Sequence, residues 1–522
     1  MNSKDFMSKG YFPKEFPSFF DSSSFVKSLQ INNTILEAAP KTSHLIKLSI
    51  PKEAGFRRNI AIPNPKHFTL LAKLLDEKSN EIGRFYNLSG ITMSRSTSKS
   101  ESIRAITNSH LYEEFIEERI IKGFSSKYLV TADISKFYGS IYTHSIPWAL
   151  HGKTESKSNR TDTLWGNKLN RLVRNMQDGQ TLGIPIGPDT SRVISEIIGV
   201  ALDKIIEESD PKVNGIRFID DFFLFADSYS EAETVRHTIN RALRQFELTA
   251  NEAKTRIEEM PAIVENIHLQ NIQNFKIRKG ILEQKADVIH LYNLAIDIYK
   301  KNPYDNAFAY FIAKIEPIKI HRENWNLVES ICLQIASAET KNLIEISKIF
   351  VSYKSYGYPI GTEKIKEGLV KIAQHGIDNN FGFEVCWAFW LITELEIVIA
   401  TDFNNLPNLK DPMAIISIFM AKERGSFNCN LDLRNWNGLL HPTSLYDDSW
   451  LLAYEGESRG WLKNQNGIDL IDQDDYFKKL KNLNVSFLNF SKKIVPIDES
   501  ELKEESDIEH ELTSMFRSRY SF

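Results

Sequence analysis

Cysteine is nearly absent: only Cys332, Cys386 and Cys429 occur in 522 residues, far apart and with no CxxC pair. That usage excludes a disulfide framework and a cysteine-based zinc site, and suits reduced structural thiols. No run approaches the roughly 18 apolar residues a membrane-spanning helix needs. The opening stretch MNSKDFMSKGYFPKEFPSFF has no basic segment followed by an apolar one, so no signal peptide is expected. Excess charge is lacking too: 64 Lys and Arg against 68 Asp and Glu leave a formal net charge of −4. A globally basic coat for nucleic acid is thereby excluded, whereas a local basic groove is not. These absences lead us to expect a soluble, cytoplasmic protein with no membrane partner.

Hydrophobic residues make up 42% and charged residues 25% of the chain, enough for a well-packed core. The text changes character between residues 260 and 285. Before that point short strand-like runs (KYLVTADI, IRFID, FFLFAD) alternate with helical patterns and dense Gly/Pro punctuation, the signature of an α+β unit. After it, segments such as ADVIHLYNLAIDIYKK and FEVCWAFWLITELEIVIA repeat apolar residues at helical spacing with no fixed repeat length, as in a degenerate helical solenoid. We therefore expect an N-terminal extension over 1–44, a mixed α+β unit over 45–265, an α-helical region over 266–500 and an acidic tail over 501–522. Around the start of that tail, IDESELKEESDIEHEL holds eight acids and one Lys, which reads as a solvated charge run.

Chemistry is suggested first by IRFIDDFFLFAD, where Asp220 and Asp221 sit between two apolar runs. Strands usually exclude Asp, so the pair belongs at a bend. Alone, it could be an ordinary acidic turn. A phosphoryl-transfer site holds two divalent ions about 3.5–4 Å apart and needs a further carboxylate from another strand. KYLVTADISKFYGSIY supplies Asp133 at the end of an apolar run, although a helix-capping Asp would look the same. In GQTLGIPIGPDTSRV, Gly183, Pro185 and Gly187 precede a long amphipathic helix. Such a loop is either a tight turn or a place where backbone approaches an anion. FELTANEAKTRIE adds Lys254, and IPKEAGFRRNIAIPNP places Lys52, Arg57 and Arg58 around a short hairpin, a cationic clip suited to phosphate oxygens.

The order of these features resembles that of reverse transcriptases over residues 45 to 260. Phe218-Ile219-Asp220-Asp221 is similar to the family's Y-x-D-D box, with Phe218 in place of the usual Tyr. Gly183-Ile184-Pro185-Ile186-Gly187 is similar to its G-x-P-x-G loop, with Ile186 where Gln is frequent. The resemblance implies a right-hand polymerase, with fingers and a palm built on an antiparallel sheet, followed here by an all-α, helical-repeat-like C-terminal domain. It implies that Asp133, Asp220, Asp221 and the Ile134 carbonyl hold two Mg²⁺ ions, with Mn²⁺ as an alternative, as hard oxygen donors would favour. It assigns Lys254 to pyrophosphate departure, Arg58 and Lys52 to the triphosphate of a dNTP, and Tyr138 to exclusion of a 2′-hydroxyl. Gly183, Pro185, Gly187 and Phe218 would border the template and incoming nucleotide.

The GIPIG loop and TADISKFYGSIYTHSIPWAL, with a helical second half in place of a recognisable RNase H, look like those of bacterial abortive-infection and defence-associated reverse transcriptases. That likeness implies anti-phage defence and DNA synthesis that copies an RNA template, uses a dedicated non-coding RNA, or needs no template. It also implies tyrosine priming in some members and homo-oligomers. Tyr11, in a flexible-looking stretch, is the candidate primer.

An RNA-dependent RNA polymerase would carry Gly-Asp-Asp and a second Asp near position 138, where this chain has Tyr138. A nucleotide cyclase has no role for the GxPxG loop. RNWNGLLH, from Arg434 to His441, fits the loose R-x4–6-H pattern of HEPN ribonucleases, but Gly438 and Pro442 interrupt a continuous helix. A scaffold with a decayed palm would not retain all three aspartates and Lys254. The aromatics of CWAFWLITEL and SWLLAYEGESRGWL could stack bases, though at helical spacing they read first as core or subunit-interface packing.

Overall fold

The computed structural model describes residues 1–210, 213–464 and 466–504. Among the described residues of the first half lie eight strands: β1 (Ile46–Pro51), β2 (Arg57–Ile62), β3 (Ser96–Thr97), β4 (Thr107–Asn108), β5 (Tyr128–Asp133), β6 (Asn214–Phe218), β7 (Asp221–Ala226) and β8 (Arg256–Glu259). They pair as a β1–β2 hairpin, a short β3–β4 ladder and a four-stranded antiparallel sheet of order β6-β7-β5-β8. The central strands β5 (YLVTAD) and β7 (DFFLFA) are rich in β-branched and aromatic residues and are largely buried, as interior strands require. The helix Tyr229–Gln245 packs on β5 and β7. The buried helix Asp189–Ser209 starts straight after Pro188, so the GIPIG loop feeds directly into it.

From Ile267 onward the described residues form helices and short 3-10 turns with no named strand. The helix Gly382–Glu394 is buried along its whole length, because its apolar residues run all round it. It is sandwiched between the helices Thr362–Asn379 and Pro412–Glu423 and also touches β1. Among the described residues no helix is long and apolar enough to cross a membrane.

One continuous apolar cluster runs from Phe6 to Leu488. The first 44 residues are part of it. Tyr11 is fully buried, its ring meets Phe25, Phe68 and Phe487, and its hydroxyl donates to the Pro63 carbonyl. The expectation of a flexible stretch around Tyr11 is therefore overturned, and its hydroxyl has no open path to a nucleotide in this fold. Aromatic density (YFPKEFPSFF) is the reason, since those rings leave water only by joining the core. The acidic tail lies outside the described residues from 505 on.

Candidate active site

Antiparallel pairing does the first part of the assembly. Asp133, the last residue of β5, is in register with Asp221, the first residue of β7, and Asp221 also pairs with Phe218 at the end of β6. Ile219 and Asp220 are thus the two central residues of a tight hairpin turn. The Asp220 carbonyl accepts a hydrogen bond from the Ile134 N–H at 3.1 Å, and the Asp133 carbonyl accepts one from the Asn251 N–H at 2.7 Å. These backbone ties lock the two aspartate-bearing segments and the Asn251–Lys254 turn together. Phe218 is buried, its ring 5.0 Å from that of Phe115.

Lys254 closes the group: its Nζ lies 2.5 Å from Asp133 Oδ2. Burial, then the charge of Asp133, pushes the Asp220 carboxyl up to about 6. Burial opposes the charge on Lys254, but its hydrogen bond to Asp133 outweighs that and raises its pKa. Two carboxylates forced close enough to resist joint ionisation form a site that a cation relieves. Among the described residues no three His, Cys, Asp or Glu side chains converge into a ready metal cage.

The GIPIG loop docks against this centre through Tyr138. The Ile184 N–H donates to the Tyr138 carbonyl at 2.9 Å, and the Gly183 N–H to the Ile141 carbonyl at 2.8 Å. Gly183 has φ +82° and a side chain there would crowd the Gly139 carbonyl; Gly187 has φ +124° and a side chain there would collide with Pro13. Both positions therefore demand glycine. Pro185 sits between them with the loop's backbone in place. The Tyr138 ring is buried and its hydroxyl accepts a hydrogen bond from Ser195 at 3.1 Å. Burial raises its pKa to about 12, so it stays neutral.

The β1–β2 hairpin joins the loop where the Ala61 N–H donates to the Ile186 carbonyl at 2.7 Å. Its cations have separate fates. Lys52 is exposed at the tip, Arg58 pairs with Glu15 at 3.1 Å, and Arg57 pairs with the buried Glu384 at 2.7 Å while stacking 3.7 Å over the Phe381 ring. The structure thus joins Asp133, Ile134, Phe218, Asp220, Asp221 and Lys254 at the ends of β5, β6 and β7, and Tyr138 to the loop that holds Gly183, Pro185 and Gly187, while Arg58 and Lys52 stand on the hairpin that meets this loop.

Residues 50–279 match the family model described as reverse transcriptase (RNA-dependent DNA polymerase). The match covers less than half of the chain. Among solved structures the chain is similar to the telomerase of Candida tropicalis in complex with a TWJ fragment of telomeric RNA, at 11% identity and a TM-score of 0.30. That similarity covers 71% of this chain and 64% of that chain, so the chain spans under two thirds of the telomerase's length. No curated protein matches the chain.

The matched segment also uses residues that sequence reading missed. Arg217 of β6 is fully buried and fans out to several partners. It reaches Asp203 at 2.7 and 2.9 Å, Glu196 at 3.1 and 3.2 Å, and the Ile219 carbonyl at 2.8 Å. Ser94 Oγ donates to Glu196 at 3.1 Å and accepts from the Ile219 N–H at 2.8 Å. Burial works against the charge on Arg217, but Asp203, then Glu196, outweigh it and raise its pKa. Gly199 makes room, since a Cβ there would fall 2.6 Å from the guanidinium. An Arg inside the apolar run IRFID was the one available signal, because a charge in a buried strand requires partners.

Outside the matched segment, the Arg434–His441 motif forms only a four-residue helix, Arg434–Asn437. Arg434 is exposed and bound to Asp432 at 2.6 Å. The continuous helix that a HEPN pairing would use is not formed there.

Proposed function

We propose that this chain makes DNA from dNTPs as an RNA-directed or template-independent polymerase, that it acts in anti-phage defence, and that it works as a cytoplasmic homo-oligomer. The observation carrying the polymerase reading is the register of Asp133 with the Asp220–Asp221 hairpin, closed by Lys254 at 2.5 Å. The defence reading rests on the resemblance in the motif residues and on the helical second half. Asp133, Asp220 and Asp221, with the Ile134 carbonyl, would hold divalent ions, Mg²⁺ or Mn²⁺, and phosphate oxygens would complete their shell. When bound, such ions neutralise triphosphate charge and make the attacking hydroxyl more acidic.

The chain's own residues do the rest. Tyr138, wedged by Ser195, fills the space a 2′-hydroxyl would enter. Lys254, kept protonated beside Asp133, offers the Nζ proton to the departing pyrophosphate. Arg58 and Lys52 face the phosphates from the hairpin, and the Gly183–Gly187 loop lets backbone approach template and base. The nucleic-acid partners are an RNA, as template or as a dedicated non-coding RNA, and the DNA product. Any protein primer must come from a tyrosine other than Tyr11.

The test is dNTP incorporation by the purified full-length chain with Mg²⁺, with and without an oligo(dT)-primed poly(rA) template. Asp133→Ala and Asp220→Asn should each abolish incorporation without lowering the thermal midpoint. Persisting synthesis in either variant would sink the assignment. Separate RNase, DNase and protease digestion of co-purifying nucleic acid reads the template and any covalent primer.

A further inference from the structure

Four aromatic side chains among the described residues are more than half exposed: Phe56, Phe124, Tyr229 and Tyr304. Of these four, only Phe56 and Tyr304 meet each other. Their rings lie nearly parallel, 23° apart in plane, with centroids 6.3 Å apart. That is the wide end of the range for aromatic pairs, about 4.5–7 Å, and the contact leaves them 61% and 59% exposed. Phe56 stands at the tip of the β1–β2 hairpin. Tyr304 stands in the turn between the helices Ile281–Lys301 and Ala307–Ile315, outside the segment that matches the family model. Two large rings left in water side by side form a patch, which calls for an explanation that one exposed ring does not.

Both rings stand on fixed backbone. At the hairpin tip the Lys52 N–H donates to the Phe56 carbonyl at 2.7 Å and the Phe56 N–H to the Glu53 carbonyl at 3.1 Å, around the left-handed Ala54 and Gly55. In the other turn the Tyr304 N–H donates to Asn302 Oδ1 at 3.3 Å, and the Asp305 N–H to the Asn302 carbonyl at 3.1 Å. Lys341 joins the two turns: its Nζ lies 3.5 Å from Glu53 Oε1 and donates to Asn306 Oδ1. Arg57, next to Phe56, is held by Glu384 at 2.7 Å. The spacing of the rings is therefore set before any ligand arrives, which spares the cost of ordering them on binding. Lys52 is exposed on the same tip, and the base of the hairpin meets the GIPIG loop through Ala61 and Ile186. The patch is thus continuous with the candidate active site.

We propose that Phe56 and Tyr304 form a stacking platform for one unpaired base of a single-stranded nucleic acid, where the hairpin meets the helical second half. Every base has a π-face, so such a platform is indifferent to sequence. The positive charge of Lys52 on the same tip favours a polyanion over an apolar partner. The proposal rests on the reading above in taking nucleic acid as the partner. An RNA template and the DNA product present the same stacking chemistry, so both strands are assayed.

The experiment measures equilibrium binding of short single-stranded oligo(rA) and oligo(dA), and of an abasic DNA strand of the same length, to the full-length chain. Phe56→Ala and Tyr304→Ala should each weaken binding of a base-bearing strand about tenfold, the size of one lost stacking contact. A loss on oligo(rA) identifies the strand as RNA, and a loss on oligo(dA) as DNA. Affinity for the abasic strand should not change, and the thermal midpoint should stay in place because both rings are exposed. Phe56→Tyr and Tyr304→Phe, which keep the rings, should bind as wild type does. The double alanine variant should lose less than the product of the two single losses, since one base uses both rings; a full product overturns the shared platform. Unchanged affinity in both alanine variants, or an equal loss on the abasic strand, overturns the inference, as does a wild-type chain that binds neither oligonucleotide. The polymerase reading is judged apart, by dNTP incorporation. A wild-type chain that shows these binding losses on substitution but incorporates no dNTP removes that reading and leaves the platform standing.

Discussion

A β-branched residue in the left-handed region costs about 1–3 kcal/mol, so Ile219, at φ +58°, keeps that conformation only because its surroundings forbid others. Its N–H is held by Ser94 and its carbonyl by Arg217, both at 2.8 Å. Those two bonds set the direction of the Asp220 carboxylate. Ser94→Ala should leave a buried N–H unsatisfied, at about 1–3 kcal/mol. The expected outcome is a midpoint a few degrees lower, with kcat reduced more than KM for dNTP. Equal losses in a control substitution away from the turn would deny Ser94 its positioning role. Tyr138→Ala should admit ribonucleotides, measured as the ratio of dATP to ATP incorporation, and an unchanged ratio would count against the gate. The aspartates and Tyr138 were legible because each sits in a short local pattern. The Ser94–Glu196–Arg217 group was not, because it joins three segments that only the folded chain brings together.

At the scale of elements, the β1–β2 hairpin was legible from its sequence, while the partner of each cation was not. The clip IPKEAGFRRNIAIPNP suggested cations free to grip phosphate, yet Arg57 is taken by Glu384, some 300 residues on. Glu384 is buried in the helix Gly382–Glu394 and also accepts from Thr340 at 2.9 Å. Removing one partner of a buried pair leaves the other charge stranded, typically at 3–5 kcal/mol. Arg57 keeps some solvent contact, so Glu384→Ala should cost about 3 kcal/mol, read as a lower denaturant midpoint. The double variant Arg57→Leu/Glu384→Ala should recover part of it. A midpoint equal to wild type would show that the hairpin is not pinned by this helix. The loop glycines are a counter-example: Gly183 and Gly187 could be read from spacing because their φ values leave no substitute.

At the scale of the whole molecule, the helix Pro65–Glu77 shows how the early segments and the late helices cohere. Asn64 caps it through the Lys66 N–H at 3.1 Å and donates to the Leu445 carbonyl at 2.7 Å. His67 on its first turn is buried, with Ser43 Oγ 2.8 Å from Nδ1 and the Tyr446 ring beside it. Three stretches remote in sequence therefore meet at one imidazole. Burial, then the charge of Lys66, lowers its pKa from 6.5 to about 4, so the folded protein holds it neutral. The unfolded chain binds the proton first as pH falls. The contribution of this histidine is thus fully present above pH 6.5 and lost progressively toward pH 4, about 3 kcal/mol in all. His67→Gln, which cannot be protonated, should flatten that share of the acid sensitivity. Its midpoint should lie below wild type near pH 8, where the native packing is lost without compensation, and the gap should close as the buffer approaches pH 4.5. A gap independent of pH would mean that His67 is charged or hydrated in the fold, and that the junction it sits in is not closed.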